Sequence, residues 1–121
     1  MNIKKLANRI FNGNSNYPTG GEVFESLRDT PISYLTHYMA PYTGVDKAII
    51  LKGERIIVSK PNKPKPSGYY CYPLNTEEVE KRIIPDSERN DPQYNGFSLY
   101  MDTSSIVQNF KQVELMPINY Q

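Results

Sequence analysis

Residues 47–74 read KAIILKGERIIVSKPNKPKPSGYYCYPL, and they carry the strongest structural pattern in the chain. Two β-branched runs flank Lys52-Gly53, which predicts a β-hairpin with Leu51 opposite Glu54. One face of this hairpin would carry Ile49, Leu51, Ile56 and Val58, and the other would carry Ala48, Ile50, Arg55 and Ile57. Because both faces are largely apolar, we expect the hairpin to be sandwiched inside the fold or covered on one side by a partner.

The second half of this stretch combines lysine, proline and tyrosine. Three prolines within residues 60–66 exclude a central strand and predict an extended surface loop, because proline has no N–H for a strand ladder. Lysines beside tyrosines are typical of surfaces that hold single-stranded nucleic acid, where cations contact phosphates and rings stack on bases. A nucleotide or nucleic-acid site would use Arg55, Lys60, Lys63, Lys65, Tyr69, Tyr70 and Tyr72. The alternative is a solvated loop whose lysines prevent edge pairing.

The segment at the start of the chain has helical spacing. Its apolar residues include Ile3, Leu6, Ile10 and Phe11. They predict an amphipathic helix over residues 1–13 on a flexible tether, residues 14–21, followed by a single domain over residues 22–121. A helix this short is unstable alone, so its stripe packs on the domain or reaches a partner. Together with Ile50 and Ile57 of the hairpin, these apolar residues form the predicted partner or oligomer interface.

Two further helices are predicted before the hairpin. Thr19 and Glu22 have the spacing of a capping box, which predicts a helix over residues 22–29. Thr30-Pro31 predicts the start of a third helix, ending at Ala40, because threonine caps helices and proline is tolerated in the first turn.

The rest of the chain alternates strand and helix patterns. Residues 69–72 and 97–102 alternate apolar and polar or aromatic positions, residues 77–83 are helical, and a helical turn or wide crossing follows Thr103. Val113 and Leu115 predict a last strand. The resulting fold class is α+β, with N-terminal helices packed on a four- to five-stranded, mostly antiparallel curved sheet or half-barrel.

The composition is that of one globular domain. The chain has 121 residues, 14 basic and 13 acidic, with a net charge of +1, so any contact with nucleic acid has to be local. Its longest apolar runs are three or four residues, which predicts no membrane span. The richness in Asn, Lys, Ile and Tyr suits an AT-rich genome such as that of a phage. We expect a cytoplasmic location, either the host cytoplasm or a virion.

The chain contains little recognisable catalytic chemistry. One histidine, His37, and one cysteine, Cys71, do not predict a metal site, and no motif predicts a cofactor. Cys71 is expected to be a small buried residue rather than a nucleophile. His37 is expected to be a hydrogen-bonded structural residue, and the alternative is a general base in an RNase-like toxin domain.

The sequence therefore predicts a small, non-enzymatic interaction or assembly protein of a phage or mobile element. It would oligomerise or bind a protein partner, as a structural component of a virion or as an inhibitor of a host factor. The first alternative is a nucleotide or single-stranded nucleic-acid binding protein that uses the Lys60–Tyr72 segment. The second is the RNase-like toxin domain.

Overall fold

The computed structural model describes residues 17–39 and 43–114, which form one seven-stranded antiparallel sheet with three short helices. The elements are β1 (Val23–Ser26), β2 (Thr30–Tyr38), β3 (Thr43–Ile50), β4 (Arg55–Val58), β5 (Gly68–Pro73), α1 (Thr76–Ile83), α2 (Asp86–Arg89), β6 (Tyr94–Asp102), α3 (Thr103–Asn109) and β7 (Phe110–Val113). The strand order is β3-β2-β6-β5-β4-β1-β7. The predicted fold class, helices packed on a four- to five-stranded sheet, is therefore wrong.

The two segments predicted as the second and third helices form β1 and β2. In β2, every second residue is buried: Thr30, Ile32, Tyr34 and Thr36. This two-residue period is that of a strand, and β-branched and aromatic residues favour strands. A helix would place Ile32 and Leu35 on one side, whereas in β2 Leu35 lies on the face opposite to Ile32, where it pairs with Ser98 of β6.

The capping-box residues make their side-chain contacts without a helix. The carboxylate of Glu22 accepts hydrogen bonds from the backbone N–H groups of Thr19 and Gly20, each at 2.7 Å. Gly20 and Gly21 have φ values of 113° and 95°, which are incompatible with a right-handed helix. The contacts that predicted a helix start therefore close a turn that leads into β1.

The predicted hairpin across Lys52-Gly53 is not formed. β3 pairs with β2, whereas β4 pairs with β1 and β5, and three strands separate β3 from β4 in the sheet. The intervening turn is held by a hydrogen bond from the Gly53 N–H to the Ser26 carbonyl, at 2.8 Å. The β-branched runs thus identified two strands but not their partners, because pairing depends on contacts distant in sequence.

One face of the sheet packs against the helices and forms the core. The core residues are Phe24, Ile32, Tyr34, Ile50, Ile56, Val58, Tyr69, Cys71, Val79, Ile84, Leu99, Met101, Ile106, Val107 and Phe110. α1 contributes Val79, and α3 contributes Ile106 and Val107. The hairpin residues are divided differently from the prediction, since Ile50 and Ile56 share this core face while Ile57 lies on the other.

Several later elements match the sequence patterns. The alternation predicted for residues 69–72 is confirmed in β5. Residues 97–102 form a strand as predicted, within β6, but Ser98 on the predicted solvent side is only 3% exposed. The helix predicted over residues 77–83 is α1. Of the two forms predicted after Thr103, a helical turn or a wide crossing, the structure has the helix, α3. The helix predicted over residues 1–13 lies outside the described residues. Within those residues, no helix is long and apolar enough to cross a bilayer.

Candidate functional site

The sheet face turned away from the helices, here called the outer face, carries a row of four aligned residues. Lys47 of β3 lies opposite Ser33 of β2, Ser33 lies opposite Tyr100 of β6, and Tyr100 lies opposite Tyr70 of β5. Paired residues project from the same side of a sheet. Lys47, Ser33, Tyr100 and Tyr70 therefore form a continuous row across four strands, here called the tyrosine row.

The two tyrosines of this row are in direct contact. Their ring centroids lie 5.1 Å apart with an interplanar angle of 68°, an edge-to-face arrangement. The Tyr100 ring extends over Gly68, where a Cβ atom would come within 2.5 Å of the Tyr100 Cζ. Glycine at position 68 thus makes room for the ring, and the aromatic ring covers backbone that glycine would leave open.

Two grooves flank Tyr100. The first groove has a volume of about 380 Å³ and is lined by Ser33, Lys47, Tyr100, Asp102 and Ser105 among others. The second groove has a volume of about 430 Å³, and its lining includes Lys60, Lys63, Gly68, Tyr70 and Tyr100. Tyr100 lines both grooves. Both volumes fall in the lower part of the range of small-molecule sites.

The grooves differ in charge. The second groove is lined by two lysines, Lys60 and Lys63, and by no acidic residue of the described chain. The first groove contains one lysine and one carboxylate, Lys47 and Asp102. The second groove therefore favours an anion, whereas the first is close to neutral.

The loop between β4 and β5 carries three of the predicted binding lysines, and two of them line the second groove. Its prolines prevent strand formation, as expected, and Lys60 and Lys63 lie where the loop passes the tyrosine row. Lys65 is exposed on the same loop but lines neither groove. The structure thus brings Lys60, Lys63 and Tyr70 together, and leaves Lys65 apart from them.

Tyr69 points away from the outer face into the core. It is only 1% exposed, and its hydroxyl donates a hydrogen bond to the Pro18 carbonyl at 2.9 Å. Burial, together with the nearby Glu22 carboxylate, raises the pKa of Tyr69 to about 12. Its ring is inaccessible to a ligand, so Tyr69 is a core residue and does not belong to the binding surface.

Arg55 and Tyr72 lie on the outer face beyond the tyrosine row. Arg55 forms an ion pair with Glu25 of β1, with 3.1 Å between Nε and Oε1. Tyr72 is 45% exposed and lies opposite Ile57 of β4. Neither Arg55 nor Tyr72 lines the grooves beside Tyr100.

The predicted interface residues are also divided. Ile3, Leu6, Ile10 and Phe11 lie outside the described residues. Ile50 is fully buried in the core and is therefore not available to a partner. Ile57 is partly buried on the outer face, next to Val23 and Tyr72 in neighbouring strands. Apolar residues also occur at the β3 end of this face, where Val45 is 66% exposed.

His37 and Cys71 occupy separate environments. The His37 Nε2 lies 2.9 Å from the Oγ of Ser98, which is buried, while Tyr34 is on the opposite face of the same strand. Burial raises the pKa of the Cys71 thiol to about 12, which disfavours the reactive thiolate. No group of three metal-ligating side chains occurs within residues 17–39 and 43–114.

Three residues of the site were not predicted: Lys47, Gly68 and Tyr100. The alternation within residues 97–102 had placed Tyr100 on the solvent side of its strand. Nothing local in the sequence indicated that β6 lies between β2 and β5, which is what brings these three residues together.

Comparison with known proteins gives no relative for this chain. No protein-family model, curated protein or solved structure matches it.

Proposed function

We propose that the outer face binds single-stranded nucleic acid. Tyr100 and Tyr70 would stack on bases, and Lys47, Lys60 and Lys63 would contact phosphates. The observation that carries this proposal is the tyrosine row, in which paired rings lie between a lysine of β3 and the two lysines of the second groove. Tyr70 is exposed and Tyr100 is partly exposed, and aromatic rings at the surface beside a basic groove are the combination that sequence-tolerant single-strand binding uses.

The dimensions of the row suit a short site. Neighbouring strands lie about 4.8 Å apart, so Lys47 and Tyr70 are about 14 Å apart across three strand spacings. Tyr70 is 49% exposed and leaves ring surface for a base. The net charge of +1 gives no long-range attraction, and the binding energy would come from these local contacts.

A protein partner or a second copy remains the competing occupant of the outer face. The exposed residues Val45 and Tyr72 would suit a contact with another protein. Such a contact is the function that the sequence patterns alone favour. Nothing in the described chain identifies such a partner, whereas the lysines and rings define a chemical class of ligand. The proposal involves binding only, and no reaction is assigned to the site.

The test is a fluorescence anisotropy titration with a labelled oligodeoxycytidylate of about ten nucleotides at low salt. We expect saturable binding that the double variant Lys60→Ala/Lys63→Ala weakens. The matched control is Lys81→Ala, which removes an exposed lysine from α1, on the helix-covered side of the sheet. A flat titration with the wild-type chain would overturn the proposal. A flat titration combined with a dimer mass by light scattering would favour self-association.

A further inference from the structure

The first groove contains the carboxylate of Asp102, which does not cap the helix that follows it. It occupies the N-cap position of α3, where an aspartate normally accepts a hydrogen bond from the first backbone N–H groups of the helix. Here its side chain makes no capping bond, and the Ser104 hydroxyl donates to Oδ2 at 3.1 Å. Among the described residues, Oδ1 has no hydrogen-bond partner, so it can accept one from a ligand.

The position of Asp102 relative to Tyr100 is fixed by the strand. The two residues are separated by one position in β6, so both project from the outer face about 7 Å apart. Both line the first groove. A flat base stacked on the Tyr100 ring would therefore present one edge to the Asp102 carboxylate.

We propose that the first groove reads the hydrogen-bonding edge of a base, with Asp102 accepting a hydrogen bond from an amino group. This inference rests on the proposed nucleic-acid binding and adds a base preference to it. Cytosine carries a donor amino group at N4, which aspartate and glutamate accept, whereas thymine has a carbonyl oxygen at the corresponding position. A carboxylate close to that oxygen is unfavourable, since neither atom carries a proton.

The charge of the two grooves orients the ligand. The first groove, with Lys47 and Asp102, has no net attraction for phosphate, whereas Lys60 and Lys63 attract phosphate to the second groove. A nucleotide stacked on Tyr100 would have its base edge towards Asp102 and its phosphate towards the β4–β5 loop. Lys47 then offsets part of the Asp102 charge and would contact the phosphate of a neighbouring nucleotide.

The experiment compares oligo-dC and oligo-dT of equal length by anisotropy at one salt concentration. These pyrimidines differ at the edge that Asp102 would read. One hydrogen bond predicts that oligo-dC binds about 2- to 10-fold more tightly. Asp102→Asn should bring the affinity ratio close to one, because asparagine offers a donor and an acceptor. Removing a negative charge also raises the affinity for both oligonucleotides. The quantity that tests Asp102 is therefore the ratio of the oligo-dC affinity to the oligo-dT affinity.

Glu77→Gln is the charge control, because Glu77 is exposed on α1 and its loss changes net charge by the same amount. We expect it to leave the oligo-dC to oligo-dT ratio at the wild-type value. Equal wild-type affinities for the two oligonucleotides would overturn the base preference and leave the proposed function intact. A preference that persists in Asp102→Asn would overturn the role of Asp102. Failure of either oligonucleotide to bind would remove both proposals.

Discussion

Tyr70 and Tyr100 lie directly opposite each other on β5 and β6, with ring centroids 5.1 Å apart and planes inclined by 68°. Edge-to-face pairs of this kind hold each ring in a defined orientation. The backbone of Gly68 lies beneath Tyr100, and any side chain there would displace the ring. The two rings are therefore positioned before a ligand arrives, which lowers the entropic cost of binding.

The first prediction concerns the stacking ring. Replacing Tyr100 with leucine keeps an apolar side chain but removes the aromatic face, so oligo-dC affinity should fall by about 5- to 150-fold, the range for loss of about 1–3 kcal/mol of stacking. Anisotropy gives the affinity, and circular dichroism checks the fold. Leu74→Ala, at a site 45% exposed outside the tyrosine row, is the control. Equal losses in both variants would contradict stacking on Tyr100.

The second prediction concerns the contact between Gly68 and Tyr100. Gly68→Ala should destabilise the fold by about 1–3 kcal/mol, because the new Cβ would overlap the Tyr100 ring. In a Tyr100→Ala background the ring is absent, and the same change should cost much less. Urea unfolding of the wild type, both single variants and the double variant measures this coupling. Additive effects would mean that Tyr100 does not occupy the space above Gly68.

The third prediction concerns salt. If Lys47, Lys60 and Lys63 each contact one phosphate, the logarithm of the binding constant should fall with the logarithm of salt concentration with a slope of about −2. Lys60→Ala/Lys63→Ala should make the slope less negative by about 1.4, and Lys81→Ala should leave the slope unchanged. Titrations between about 50 and 200 mM salt give the slope. A slope near zero would mean that phosphates are not contacted.

The fourth prediction concerns the carboxylate that links the turn before β4 to α1. Glu54 accepts hydrogen bonds from Arg82 at 2.7 and 2.8 Å, from the Asn75 amide at 3.0 Å and from the Leu51 N–H at 2.8 Å. Burial acts to raise the pKa of Glu54, but these donors outweigh it and hold the pKa below the ordinary value of 4.5.

Because the Glu54 pKa is lower in the folded state, its stabilisation is complete above the ordinary pKa and is lost as the pH falls through the folded-state pKa. We expect the free energy of unfolding to decrease between about pH 5 and pH 3, and Arg82→Gln to make this decrease smaller. Urea unfolding across that range measures the effect, with Lys81→Gln as control. An Arg82→Gln protein with the full wild-type pH dependence would exclude this ion pair as the cause.

The local patterns of the sequence predicted those elements that local chemistry determines. Residues 97–102 alternate in polarity, and α1 follows from its own helical pattern, so the presence of β6 and α1 needed no tertiary information. β1 and β2 were predicted as helices because Thr19, Glu22 and Thr30 resemble helix starts. Two consecutive glycines with positive φ and the two-residue period of β2 outweighed those local signals.

The candidate site was only partly predictable for the same reason. Lys60, Lys63 and Tyr70 are close in sequence, and their composition alone indicated a ligand surface. Tyr100 and Lys47 join them only because β6 and β2 lie between β5 and β3 in the strand order. Tyr69 was predicted as a binding residue together with Tyr70 and Tyr72, although the alternation of β5 places it on the buried face.

The most direct test of nucleic-acid binding on the outer face is an NMR titration of the full chain with unlabelled oligo-dC. Backbone amide and tyrosine ring resonances would be followed together. We predict that the largest shifts occur at Lys60, Lys63, Tyr70 and Tyr100, with ring protons of Tyr70 and Tyr100 moving upfield as bases stack on them. Shifts confined to α1 and α2, or no shifts at all, would contradict the account.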